Sequence, residues 1–98
     1  MNIEKQTGDG LTLVLSGRLD TTTAPQLQET LLPAFEENRD VVLDFEGIEY
    51  VSSAGLRVLL LGAKTAKAAG GTQTLVKVTP EVQEVFELTG FDGVLSFG

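Results

Sequence analysis

The sequence predicts a small α/β sandwich, in which an antiparallel hairpin is followed by parallel strands that alternate with short helices. A turn signal at Asp9-Gly10 separates two strand-like segments near the N-terminus. Beyond it, β-branched apolar runs alternate with segments whose apolar residues have helical spacing. Strands that alternate with helices pair in parallel through right-handed crossovers, so we expect the order ββαβαβαβ.

The hairpin comprises residues 2–6 and 11–17, and the second strand is expected to be the more buried because it is the more apolar. A helix then begins after Thr23, which we expect to act as the N-cap with Gln26 completing a capping box. Pro25 falls in the first turn, where proline is tolerated, and Pro33 should bend the helix around the core without breaking it. The expected core face of this helix comprises Leu27, Leu31, Ala34 and Phe35.

Residues 40–47 predict a buried strand, because Val41, Val42 and Leu43 place apolar side chains on both faces. That pattern is typical of a central parallel strand covered by helices. A second helix is predicted from about Ser53 to Ala69, where Gly70-Gly71 ends it.

Residues 72–78 predict a third parallel strand, and Thr79 with Pro80 begins a short helix that Gly90 ends. A final edge strand is predicted at 94–97. The side chains of the short helix that should point inward are Val82, Val85 and Phe86.

The composition excludes several classes of function. The 98 residues suit one domain, which we assign to 1–98, and the net charge of −7 argues against binding to nucleic acid or to an anionic membrane. Cysteine and histidine are absent, so thiolate chemistry and the usual neutral-pH base are unavailable. We find no signal peptide or membrane span, and expect a cytoplasmic protein that is not an enzyme and needs no cofactor or metal.

The second helix is apolar on two faces. Its core stripe comprises Leu56, Leu59, Leu60 and Ala63, and a second stripe comprises Ala54, Val58, Leu61 and Thr65. The second stripe indicates a flat docking face for a partner, a helix sunk deeper into the domain, or aliphatic side chains that are exposed without any partner. We expect Val58 and Leu61 to be partly exposed in the monomer.

Ser52 and Ser53 stand where this helix begins. Either hydroxyl can cap the helix by satisfying one of its free N–H groups. The same free N–H groups and the positive end of the helix dipole also favour a phosphate. A phosphoserine here would add about two negative charges beside the apolar stripe without unfolding the helix.

These segments together resemble the STAS-domain anti-sigma-factor antagonists of the SpoIIAA and RsbV type. The run VVLDFEGIEYVSSAGLRVLL at 41–60 is similar to the family's strand, turn and serine-led helix. The runs SGRLDTTTAPQLQETL at 16–31 and TPEVQEVFELTGF at 79–91 resemble two further family segments, in the same order. The resemblance covers essentially the whole chain and implies the STAS fold, an N-terminal β-hairpin followed by βαβαβα units.

The resemblance also implies a mechanism of partner switching. In the family, an anti-sigma factor with a GHKL-type serine kinase domain binds the antagonist and releases its sigma factor. The kinase then phosphorylates the antagonist, which ends the complex, and a PP2C-type phosphatase reverses the modification. By position the phosphoacceptor is Ser53, in a protein that we expect to act as a monomer. The expected partner-binding residues are Asp20, Thr23, Ser52, Ser53, Ala54, Gly55, Val58 and Leu61.

Two other functions fit a STAS domain. One is a constitutive subunit of a transport or sensory complex, without phosphorylation. The other is a domain that binds a small ligand. The pattern of residues leaves both open.

Overall fold

The computed structural model describes residues 1–8 and 10–98, and it contains a five-stranded mixed sheet with three helices. The strands are β1 (Asn2–Gly8), β2 (Gly10–Leu19), β3 (Asp40–Val51), β4 (Thr72–Val76) and β5 (Ser96–Phe97). The helices are α1 (Ala24–Glu37), α2 (Ser53–Ala68) and α3 (Pro80–Thr89), followed by a short 3₁₀ helix at Phe91–Gly93. This order confirms the predicted one. The expected turn at Asp9-Gly10 falls partly on position 9, which lies outside the described residues.

The strands lie in the sheet in the order in which they occur in the chain. β1 pairs antiparallel with β2, and the remaining neighbours pair in parallel. Because right-handed crossovers between successive parallel neighbours all pass over the same side, the three helices lie on one face. Every second residue of β2, from Leu11 to Leu15, is buried on that face, and so are Gln73 and Leu75 of β4.

The prediction that β3 is covered on both faces is therefore wrong. Val41 and Leu43 are fully buried beneath the helices, whereas Val42 is only half-buried on the open face. Its neighbours across the sheet are Thr12 and Thr74. The strand also runs beyond the predicted 40–47, because it continues to pair with β2 as far as Val51.

The capping box predicted for α1 is not formed. Thr23 is the N-cap residue, but its backbone is helical (φ −98°, ψ −20°) and its side chain makes no capping hydrogen bond. Its hydroxyl instead accepts from the Asp20 N–H (2.8 Å) and donates to the Arg18 carbonyl (2.7 Å). Gln26 donates its side-chain amide to the Met1 carbonyl (3.2 Å). A side-chain cap requires an extended backbone, which Thr23 lacks.

The rest of α1 follows the prediction. Pro25 lies in the first turn, and the helix continues through the exposed Pro33 to Glu37. All four residues of the predicted core face are buried: Leu27, Leu31, Ala34 and Phe35. The apolar stripe is thus buried although a proline interrupts the hydrogen-bond ladder on the opposite side.

The start and end of α3 are also as predicted. The Thr79 hydroxyl accepts from the Val82 N–H (3.4 Å), and Gly90 ends the helix in the left-handed region at φ 78°, where glycine meets no steric penalty. The Phe86 ring lies 6.2 Å from Phe45 and 5.6 Å from Phe97, measured between ring centroids. These contacts join α3 to β3 and to the edge strand β5.

Candidate functional site

The serine pair lies at the carboxyl end of β3, where the chain turns into α2. The Ser52 N–H donates to the Leu19 carbonyl (2.8 Å), which joins this turn to the end of β2. The Ser52 hydroxyl accepts from the Gly55 N–H (3.3 Å), so Ser52 is the helix cap. Ser53 is the first helical residue and is exposed, as predicted. The two serines therefore have separate roles, and the Ser53 hydroxyl is accessible.

The loop between β2 and α1 forms the border of the same site. The Asp20 Oδ1 accepts from the Thr22 hydroxyl (2.7 Å) and from the N–H groups of Thr22 (3.0 Å) and Thr23 (3.1 Å). The hydrogen bond from the Thr22 hydroxyl is the largest cause of a lowered pKa for Asp20, and the two N–H groups add to it against a smaller opposing effect of burial. Asp20 is therefore a fixed negative charge beside the start of α2.

Two side chains that the sequence did not single out also lie here. Arg18 and Tyr50 are paired across β2 and β3, and the guanidinium carbon of Arg18 lies 4.3 Å from the centroid of the Tyr50 ring. The Arg18 Nε lies 3.7 Å from Asp20 Oδ2. Tyr50 is one of the few large apolar side chains that the described residues expose. Both residues lie beyond the predicted ends of their strands, at residues 17 and 47, so no pattern in the sequence pointed to them.

The second apolar stripe of α2 divides into a covered part and an open part. Leu61 is 37% exposed, as predicted, and Ala54 and Thr65 are half-buried. Val58 is only 4% exposed, so the expectation that it stays partly exposed is wrong. The reason is that α1 packs along this side of α2, which is the deeper burial that the sequence left open.

A shallow groove marks the contact between the two helices. Its volume is about 160 Å³. Residues from both helix starts line it, among them Pro25 and Gln28 of α1 and Ala54, Arg57 and Val58 of α2. Val58 was predicted to bind a partner, but it is almost fully buried where it lines this groove. It therefore belongs mainly to the core.

Gly55 is buried too, against Leu19 at the end of β2. It holds the first turn of α2 close to the sheet, so its contribution to the site is positional. The structure places the accessible part of the predicted site at Asp20, Thr23, Ser52, Ser53, Ala54 and Leu61.

The start of α2 has the features of a helix end that accepts an anion. The first turn of α2 carries no acidic residue, and a helix leaves its first N–H groups without intrahelical acceptors, so the helix start can accommodate a phosphate. Residues 1–8 and 10–98 contain no group of three or more His, Cys, Asp or Glu side chains arranged to hold a metal ion. Within the same residues, no helix combines the length and the apolar character needed to cross a bilayer.

Comparisons with known proteins agree with this fold. A family model described as "Mlab, STAS domain" matches residues 3–96. BtrV of Bordetella bronchiseptica, assigned as an anti-sigma factor antagonist, is 41% identical over 85 residues, which cover 85% of this chain and 73% of BtrV. The anti-sigma-B factor antagonist of Bacillus subtilis is 29% identical over 98 residues, covering 97% of this chain and 90% of that protein.

Solved structures extend the similarity to three dimensions. The anti-sigma factor antagonist SpoIIAA in its unphosphorylated form matches with a TM-score of 0.82 at 19% identity, over 99% of this chain and 88% of SpoIIAA. The phosphorylated form of SpoIIAA from Bacillus matches with a TM-score of 0.74 at 19% identity, over 99% and 91% of the two chains. Anti-sigma factor antagonists are regulatory proteins and not enzymes. The chain belongs to the STAS domain family, among the anti-sigma factor antagonists.

Proposed function

We propose that this chain is an anti-sigma factor antagonist that acts by partner switching. Its unphosphorylated form binds an anti-sigma factor with a GHKL-type serine kinase domain and thereby frees the sigma factor. Phosphorylation of Ser53 by that kinase ends the complex, and a PP2C-type phosphatase restores the binding form. In this proposal residues 1–98 act as one STAS domain and as a monomer.

The observation that carries this proposal is that the two serines differ in their structural environment. The Ser52 hydroxyl caps α2, whereas Ser53 is exposed beside it and its hydroxyl makes no hydrogen bond within residues 1–8 and 10–98. A phosphate on Ser53 would leave the cap in place, and its negative charge would lie at the favourable end of the helix dipole. The fold would therefore persist while the surface changes.

The proposed docking surface is formed by exposed and half-buried residues around Ser53. It comprises Asp20, Thr23, Ser52, Ser53, Ala54 and Leu61, and the paired side chains of Arg18 and Tyr50 adjoin it. The accessible apolar side chains of Ala54 and Leu61 can be buried by a partner when Ser53 is neutral. A phosphate at the same place would carry a charge into the interface, where desolvating an unpaired ion is costly.

Intact-mass and tandem mass spectrometry test the proposal. The protein is incubated with ATP and a GHKL-type serine kinase encoded in the same genome. We expect one phosphate, located on Ser53, and none on the Ser53→Ala variant. The matched Ser52→Ala variant should still be phosphorylated once.

Other outcomes of this experiment contradict the proposal. Phosphate on Ser52 with Ser53 unmodified would refute the assignment of the acceptor. A stable complex with the kinase without any phosphate would instead favour a constitutive STAS subunit.

A further inference from the structure

We propose that Arg57 pairs with the phosphate carried by Ser53, so that modification of Ser53 also neutralises a cation that borders the docking surface. The inference deepens the proposed function and rests on it. Ser53 and Arg57 are both in α2, four residues apart, and both are exposed. Residues at this spacing are neighbours on a helix surface, with Cβ atoms about 5–6 Å apart.

The direction of the side chain favours the contact. On a helix, the Cα–Cβ bonds tilt toward the N-terminus, and long side chains reach back over the preceding turn. The turn that precedes Arg57 contains Ser53 and Ala54, and Arg57 lines the groove beside Ala54. The guanidinium can therefore reach a phosphate on Ser53 without any movement of the backbone.

In the part of the chain that the structure describes, Arg57 is a cation near Ser53 that no carboxylate engages. Arg18 lies beside Asp20 and over the Tyr50 ring. Among the residues that the structure describes, the ion pairs involve Arg18 and Lys77, and no carboxylate lies within ion-pairing distance of Arg57. An arginine without a carboxylate is free to pair with an incoming anion, and its planar fork matches the oxygens of a phosphate.

The consequence is a double change in charge. Before modification, Arg57 is an exposed cation beside Ala54, at the edge of the docking surface, and is available to an acidic group of the partner. After modification, the phosphate adds negative charge beside the ionised Asp20, and Arg57 pairs with the phosphate. The partner then meets a surface that has gained an anion and lost a free cation.

A phosphorus NMR titration tests the pairing directly. Phosphoserine is installed at position 53 during translation, in the otherwise unchanged protein and in Arg57→Gln, Arg57→Lys and Lys64→Gln variants. Lys64 is the matched control, because it is an exposed cation on the same helix, two turns further on. Pairing with Arg57 stabilises the dianion, so Arg57→Gln should raise the second pKa of the phosphate by about 0.3 units. Arg57→Lys keeps the positive charge, so the second pKa of the phosphate should stay close to its value in the protein with Arg57. Lys64→Gln should leave this pKa unchanged.

The second measurement is the affinity of the unphosphorylated proteins for the kinase. Arg57→Gln should weaken binding by about 2- to 5-fold, the range of a partly exposed ion pair, and Lys64→Gln should not weaken it. Equal phosphate pKa values in the Arg57→Gln and Lys64→Gln proteins would overturn the inference.

The titration separates this inference from the proposed function. Phosphoserine is installed during translation, so the NMR result does not depend on any kinase. Failure of the kinase to modify Ser53 would refute the proposed function, whereas an unshifted titration would refute the role of Arg57 alone.

Discussion

Gly55 and Leu19 are in direct contact, and the contact leaves no room for a side chain at position 55. A Cβ atom there would lie 2.6 Å from Leu19 Cγ and 3.0 Å from the Leu19 carbonyl oxygen. The same carbonyl accepts the N–H of Ser52 (2.8 Å). The end of β2 thus holds both the cap and the first turn of α2, and this double contact sets the position of Ser53.

Replacement of Gly55 by alanine should therefore destabilise the protein. The added methyl group must displace Leu19 or the start of α2, and overpacking of this kind costs about 1–3 kcal/mol. Urea denaturation measures the loss. The control is Gly93→Ala, because a Cβ at position 93 would meet nothing within 4 Å. Equal free energies of unfolding for the two variants would show that Leu19 can move aside without destabilising the protein.

The two serines should differ in their effect on stability. Ser52→Ala removes the hydroxyl that caps α2 and should lower the free energy of unfolding by about 1 kcal/mol. Ser53→Ala removes an exposed hydroxyl and should change it by less than about 0.5 kcal/mol. Thermal and urea unfolding of both variants check the difference. The opposite order would mean that Ser53 is the cap.

Asp20 should make the free energy of unfolding depend on pH in the acidic range. Its pKa is lowered in the folded protein, so the folded state favours the ionised form. The stabilisation is complete above the ordinary pKa of 3.8 and is lost as the pH falls through the lowered value. The stability difference between the unmodified protein and Asp20→Asn should hence be constant near neutral pH and shrink below 3.8. A difference that does not change with pH over this window would contradict the hydrogen-bonding account.

Val58 and Leu61 should separate folding from binding. Val58→Asp places a charge in the α1–α2 contact and should remove a large share of the roughly 5–15 kcal/mol that stabilises a typical domain. Leu61→Asp, at an exposed position, should fold normally and weaken binding of the kinase. Circular dichroism and calorimetric titration measure the two effects. A folded Val58→Asp protein would mean that the two helices separate easily at this point.

Local signals in the sequence were sufficient for most elements. The two ends of α3 are set by interactions within a few residues, at Thr79 and Pro80 and at Gly90. The buried stripe of α1, from Leu27 to Phe35, depends only on helical periodicity. The parallel pairing after the hairpin followed because strands that alternate with helices are joined by right-handed crossovers. The order of the strands within the sheet was not predicted. The exposure of Ser53 followed from its place at a helix start.

The remaining features depend on contacts between distant segments. Val58 is buried because α1 lies against it, and the periodicity of α2 alone does not show on which side α1 packs. Thr23 was assigned a local capping role, but its hydroxyl is used by the backbone of Arg18 and Asp20. The pairing of Arg18 with Tyr50 follows a register shift after Gly17, which no pattern within either strand indicates.

Calorimetric titration of the kinase with the protein in its two states tests the central claim most directly. One sample carries Ser53 and the other carries phosphoserine at position 53, installed during translation, with Ser53→Ala as the neutral control. We predict that the Ser53 and Ser53→Ala proteins bind alike, and that the phosphorylated protein binds at least about 100-fold more weakly, roughly 3 kcal/mol. Equal affinity of the phosphorylated and unphosphorylated proteins for the kinase would contradict the account.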